Sequence, residues 1–207
     1  MSNIVYETTV GIFAGKYLNE IKKELFRKSI HVCAAFVPLF LGLNRSLTLI
    51  LLCVVLVLYL IAEIFRFKGI EVPFVSAVTD MASRQRDRGR FVLGPVTLAM
   101  GVLVTAFFFE HPAATIGIYA LAFGDGIASL VGRAVGHLTI PFTGGKTLEG
   151  SIACFCAVFI AAFVVSRNPS VSLCIAGAAM VLEALPLKDF DNLLIPIVIA
   201  LLSQFVL

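Results

Sequence analysis

The chain has 207 residues, of which 59% are hydrophobic and 14% charged, and its mean hydropathy is +1.01. A soluble domain carries roughly 25% charged residues, so the composition excludes an ordinary soluble protein and implies a single-domain integral membrane protein. The formal net charge of +3 is too small to imply nucleic-acid binding, which leaves the placement of the charges as the informative feature.

In chain order, residues 1–28 read as a cytoplasmic segment and 29–207 as one transmembrane domain. No cleavable signal is expected: Glu7 lies near the start, and the first uninterrupted apolar run follows residue 28. Residues 11–27 have helical periodicity. Ala14, Tyr17, Leu18, Ile21 and Leu25 share one arc, with Lys16, Glu20, Lys23 and Arg27 on the other. Such a segment either lies in the membrane interface or packs as an ordinary first helix.

Apolar stretches follow at about 29–43, 46–65, 91–109, 112–131, 148–166, 170–185 and 192–207. These predict an all-α fold with about seven transmembrane helices. Of the 16 Lys and Arg residues, all but Arg45 and Arg167 fall in loops on one side, which places the N-terminus in the cytoplasm. The arginine-rich part of the 66–90 loop (Arg84, Arg86, Arg88, Arg90) reads as part of that positive-inside bias. Cys33, Cys53, Cys154, Cys156 and Cys174 all lie in apolar runs and read as packing residues.

Ionisable residues inside spans are functional candidates because they are costly to keep there. Asp125 is the deepest, roughly 9 Å from the end of its span at helical rise, and it is flanked by Gly124 and Gly126. Glycines around a buried acid imply close helix packing or a locally opened helix. Glu63 precedes Arg66 by three residues and suits a local ion pair. Glu183 reads as the partner of a buried base or as a metal ligand.

After Asp125 come Arg133 and then FTGGKTLEG at 142–150. A Walker A loop would need glycine at 140, where Ile140 stands before Pro141, so this is no P-loop. Thr147 instead suits a helix N-cap, with Gly150 at the third helical position. That helix start, with Ser151 in its first turn, offers free N–H groups to an anion, and Lys146 adds a charge. Glu149 could help hold a divalent metal. Asp189, Asp191 and Asn192 precede the last span on the same side, as Arg27, Lys28 and His31 precede the first. Acids for Mg²⁺, bases for phosphates and glycine-rich backbone thus share one rim, which suits phosphoryl transfer.

The block FGDGIASLVGRAVG followed by GGKTLEGS resembles the shared core of the CTP-dependent lipid kinases: dolichol kinase, phytol kinase and the fungal-type CTP-dependent diacylglycerol kinase. ELFRKSIH resembles the family's Arg-Lys-x-x-His approach to the first span, and DFDNLLIP its Asp-Asn before a late span. The resemblance implies a membrane kinase with CTP as donor, a lipid alcohol as acceptor, surrounding membrane lipids as partners and Mg²⁺ as cofactor. Its implied home is a bacterial or archaeal plasma membrane, with the site facing the cytoplasm.

By the same resemblance, Asp125, Lys146 and His31 carry the chemistry, and Asp125, Glu149 and Asp191 serve the metal. Gly124, Gly126, Arg133, Lys146, Thr147, Gly150, Ser151, Arg27 and Lys28 bind the nucleotide. Glu183 and Asn192 complete the polar site; the motifs do not identify the general base. The block is also similar to that of phosphatidate cytidylyltransferases, but their late His-Gly-Gly followed by Asp-Arg is absent here. A small ion-coupled transporter is the reading from another class.

Overall fold

The computed structural model describes residues 21–70, 72–82 and 89–207. These residues form helices joined by short loops, and their one β-feature is an isolated antiparallel bridge between Thr139 and Thr147. The all-α expectation holds. We number the helices α1 (Ile21–Leu43, tightening to a 3₁₀ turn at Ala34–Phe36), α2 (Arg45–Phe67), α3 (Pro73–Ala82) and α4 (Gly94–Phe108). They continue as α5 (Ala113–Val135), α6 (Leu148–Ser166), α7 (Pro169–Ala184) and α8 (Asp191–Val206).

Seven of these helices coincide with the seven apolar stretches. Four of them, α1, α2, α5 and α6, are long and apolar enough to cross a membrane. The shorter apolar helices α4, α7 and α8, of 15, 16 and 16 residues, reach roughly 22–24 Å at 1.5 Å per residue. The chain is a membrane protein, and the outward side chains of α2, such as Ile50, Leu51, Val55 and Leu58, are exposed and apolar as a lipid-facing surface requires.

Two features differ from the sequence expectation. No break separates an amphipathic segment from a first span: α1 runs unbroken through Lys28, and residues 11–20 of the expected amphipathic helix lie outside the described residues. Hydropathy ends the apolar run where charges begin, but these charges turn inward and the helix continues. The 66–90 loop also contains a helix, α3; Arg84, Arg86 and Arg88 lie outside the described residues.

Helix α5 is the centre of the bundle, with Ile116, Ile118 and Leu121 fully buried. It is built from small residues so that neighbours approach closely. A Cβ at Gly117 would collide with the backbone carbonyl of Pro196 on α8, and one at Gly101 on α4 with that of Asn192. Pro196 lacks an N–H, so the Asn192 carbonyl four residues earlier has no helical donor there, and it faces the bare Gly101. Midway along α5, Ala120–Asp125 widen into a π-helical turn that ends on Asp125. The locally opened helix expected around this acid is therefore present, and π-turns of this kind often mark functional sites.

The crossing of α5 and α6 sets the position of the Gly-Lys-Thr loop. A Cβ at Gly150 would lie 2.8 Å from the Ala128 carbonyl, and one at Gly132 2.9 Å from Thr147 Oγ1. Glycine at these positions lets the start of α6 rest directly on α5, one to two turns after Asp125.

Candidate active site

The site grows from an inward stripe on α1. Glu24, Lys28 and His31 are spaced four and three residues apart and so share one helix face; they are 5%, 2% and 3% exposed. Leu25, by contrast, points outward. Lys28 Nζ forms an ion pair with Asp125 Oδ2, and His31 Nδ1 lies 3.1 Å from the same oxygen. Burying a carboxylate is expensive unless it is paired, and Lys28 supplies the pair.

Glu24 was not singled out by the sequence motifs, yet it organises one wall. Its Oε1 accepts hydrogen bonds from Arg27 and, at 2.6 Å, from Ser129 Oγ, while Arg133 Nη2 lies 3.2 Å from Oε2. Helix α1 thereby fixes the direction of the Arg133 side chain on α5. The recoverable signal was the run Glu24, Arg27, Lys28, His31 at helical spacing, where composition alone cannot tell an inward charge from a solvated one.

The opposite wall comes from the loop before α6. Residues 138–148 fold back as a narrow hairpin, with Ile140 N–H donating to the Lys146 carbonyl at 2.8 Å and Leu148 N–H to the Leu138 carbonyl at 2.8 Å. Phe142, Gly144 and Gly145 take positive φ at its tip (65°, 76° and 96°), a conformation that favours glycine at the last two. Thr147 caps α6 as its position suggested, its Oγ1 accepting from Gly150 N–H at 3.2 Å. Lys146 Nζ is 2.8 Å from Glu183 Oε1 and also donates to the Glu183 carbonyl, and Ser151 Oγ donates to Glu183 Oε2 at 3.4 Å. Glu183 is therefore the partner of a base, the half-buried Lys146, which is close to one of the two roles read for it.

Between the walls is a cavity of about 440 Å³, within the size range of small-molecule sites. Lys28, Arg133, Lys146 and Lys188 bring positive charge to it, and Asp125, Glu183 and Asp191 bring negative charge. Gly144 and Gly145 add exposed backbone. Asp125 and Lys146, far apart in sequence, thus line one cavity.

Other candidates are tied into the surrounding fold. Glu149 turns away from the cavity, its carboxylate accepting from the N–H groups of His137 (3.0 Å) and Leu138 (3.2 Å) to hold the base of the hairpin. Gly124 packs toward α6, where a Cβ would sit 2.7 Å from Val158 Cγ2; Gly126 faces Val32. Asn192 ties α8 to α4, its Nδ2 donating to the Gly94 carbonyl and Thr97 Oγ1, both at 3.3 Å. Asp191 Oδ1 accepts from Asn192 N–H at 2.8 Å.

Away from the site, Glu63 pairs with Arg66 as its spacing suggested, through two contacts of 2.7 Å, and also accepts from Val92 N–H.

Among the described residues no cluster of three His, Cys, Asp or Glu could hold a metal by itself. Magnesium needs only one or two carboxylates, with phosphates and waters completing its shell. Asp125 and Asp191 on the cavity wall meet that requirement. Glu149 does not reach it.

No protein-family model and no solved structure matches the chain. Curated relatives do. The CTP-dependent diacylglycerol kinase 1 of Saccharomyces cerevisiae is 28% identical, over 69% of this chain and 52% of its own length. The chloroplastic phytol kinase 1 of Arabidopsis thaliana is 26% identical, over 91% of this chain and 72% of its own. The chain is thus similar to lipid kinases over most of its length. An uncharacterized protein of Methanocaldococcus jannaschii matches 86% of the chain and 91% of its own length at 25% identity. The chain thus spans about half of the yeast lipid kinase and nearly all of the archaeal relative.

Proposed function

We propose that the protein transfers the γ-phosphoryl group of CTP to the hydroxyl of a lipid alcohol at the cytoplasmic membrane face. One observation carries this reading: Asp125, buried on a π-turn, and Lys146, on a glycine-rich hairpin, line the same cavity beside Arg133 and Lys188. Relatives named for phytol and for diacylglycerol make a lipid alcohol the acceptor class. The bias of Lys and Arg to the loops on this side supports the cytosolic reading of the rim.

In the reaction the alcohol oxygen forms a bond to the γ-phosphorus. The bond from that phosphorus to the β–γ bridging oxygen breaks, and CDP leaves. Lys146, Arg133 and Lys188 are the groups that would neutralise the phosphates, and two of them are held in advance, Lys146 by Glu183 and Arg133 by Glu24. Lys28 and His31 both approach Asp125 at Oδ2, which leaves Oδ1 for a cation. Asp125 and Asp191 would hold Mg²⁺, whose chemistry would be to neutralise phosphate charge. To His31, whose Nδ1 lies 3.1 Å from Asp125 Oδ2, we assign the hydroxyl proton.

Purified protein given CTP, Mg²⁺ and either phytol or diacylglycerol should release CDP and form the phosphorylated lipid. No CDP with either alcohol would overturn the proposal.

A further inference from the structure

Glu63 is a fully buried carboxylate that the reaction above does not use. Its spacing from Arg66 explains the ion pair on α2 but not the remaining bonds. Glu63 Oε1 also accepts from Val92 N–H at 2.7 Å, and Arg66 Nη2 donates to the Arg90 carbonyl at 3.0 Å. Both bonds end on residues 90–92, which lie outside any helix and lead into α4. Val92 is buried, so its N–H needs an acceptor within the protein, and an ionised carboxylate is a strong one. The end of α2 thereby clamps the entry of α4.

We propose that Glu63 is a positioning residue for the reaction: it holds the entry of α4 where that entry bounds His31 and supports Asn192. This role rests on the kinase reading and adds to it a residue that acts without touching either substrate. Two links carry the clamp to the site. Val92 and Pro95 share with His31 and Asp125 a cavity of about 30 Å³, room for about one water, so a shift of this wall changes the space around the imidazole. One turn further along, the Gly94 carbonyl and Thr97 Oγ1 accept from Asn192 Nδ2, both at 3.3 Å, and Asp191 Oδ1 accepts from the Asn192 N–H. Displacing Val92 thus moves the wall beside His31 and the support of Asp191 together. Lys146 is held separately, by Glu183.

The histidines make the clamp measurable. The chain has three: His31 lines this cavity, His111 lines another beside Arg45, and His137 lies at the hairpin base. Imidazole ¹⁵N resonances of the purified protein in detergent, assigned with His→Gln variants, therefore give one reporter at the wall and two controls. Glu63→Ala removes the acceptor of Val92 N–H and should shift or broaden the His31 signals while those of His111 and His137 stay in place. Glu63→Gln retains an acceptor oxygen of the same reach and should keep the His31 signals near wild type. Should Glu63→Ala fail to fold, Val92→Ala leaves the ion pair intact and should produce the same selective shift. In turnover with phytol, Glu63→Ala should lower kcat per folded molecule about tenfold or more, as small misplacements of reacting groups do, with the KM for CTP within about twofold. Glu63→Gln should restore most of that kcat.

His31 signals that stay unchanged in both alanine variants, or that shift together with those of His111 and His137, overturn the clamp. A selective His31 shift with unchanged kcat overturns its role in the reaction. Wild-type protein that releases no CDP with any alcohol overturns the kinase reading instead, and the histidine signals, which need no turnover, tell the two failures apart.

Discussion

Lys28 and Asp125, 97 positions apart, meet in a buried ion pair that joins the first helix to the π-turn of the central one. The pair has two consequences. It makes α1 part of the candidate site, and it stores a buried charge that is stable only while both partners remain.

Removing one partner should therefore cost both folding and chemistry. Lys28→Met takes the ion-pair partner from a carboxylate that is 4% exposed and leaves only His31 beside it, and breaking such a pair typically costs about 3–5 kcal/mol. Thermal denaturation in detergent should show a markedly lower midpoint for Lys28→Met. The double variant Lys28→Met, Asp125→Asn should recover most of that loss yet remain inactive. A double variant as unstable as the single one would show that the pair is not the source of the cost.

Lys146→Ala is read by turnover per folded molecule. Lys146 is partly exposed but pairs with the buried Glu183, so its loss should also lower the melting midpoint. Turnover should fall about 100-fold or more, as expected when a preorganised charge aimed at the transition state is removed. Normal turnover in this variant would exclude a role on the phosphates.

Glu24 acts through other residues. Glu24→Gln removes the anchor for Arg27 and Arg133 without emptying its space. The KM for CTP should rise about tenfold, equivalent to roughly 1.4 kcal/mol, with a smaller change in kcat. An unchanged KM would show that Arg133 does not need this anchor.

Much of this site was legible in the sequence, and the limits have physical causes. Asp125 stood out because an acid in a span needs a reason to be there, and Thr147 because a threonine before an apolar run is an N-cap pattern. Gly150 read as a nucleotide contact, and the structure shows it both on the cavity wall and in the close crossing of α5 and α6. The inward stripe of α1 was harder to see. Hydropathy sums treat Glu24 and Lys28 as marks of a water-facing segment, whereas their burial depends on partners about a hundred residues later. Glu149 illustrates the converse: its place beside Lys146 and Thr147 in sequence suggested a ligand, but helix geometry turns it to the other side, onto the hairpin base.

The helix contacts make a stability prediction away from the chemistry. Gly117 meets the Pro196 carbonyl and Ala200 on α8. Gly117→Ala should destabilise by about 1–3 kcal/mol, as overpacking commonly does, while the activity per folded molecule is retained. A midpoint equal to wild type would mean that α8 can shift outward at no cost.

The fate of isotopic label tests the central claim most directly. Purified protein is incubated with Mg²⁺, phytol and CTP carrying ³²P at either the γ or the α position. Transfer of γ-label to the lipid, with CDP as the other product, is the expected result. Label passing to the lipid from the α position, with release of pyrophosphate, would contradict it.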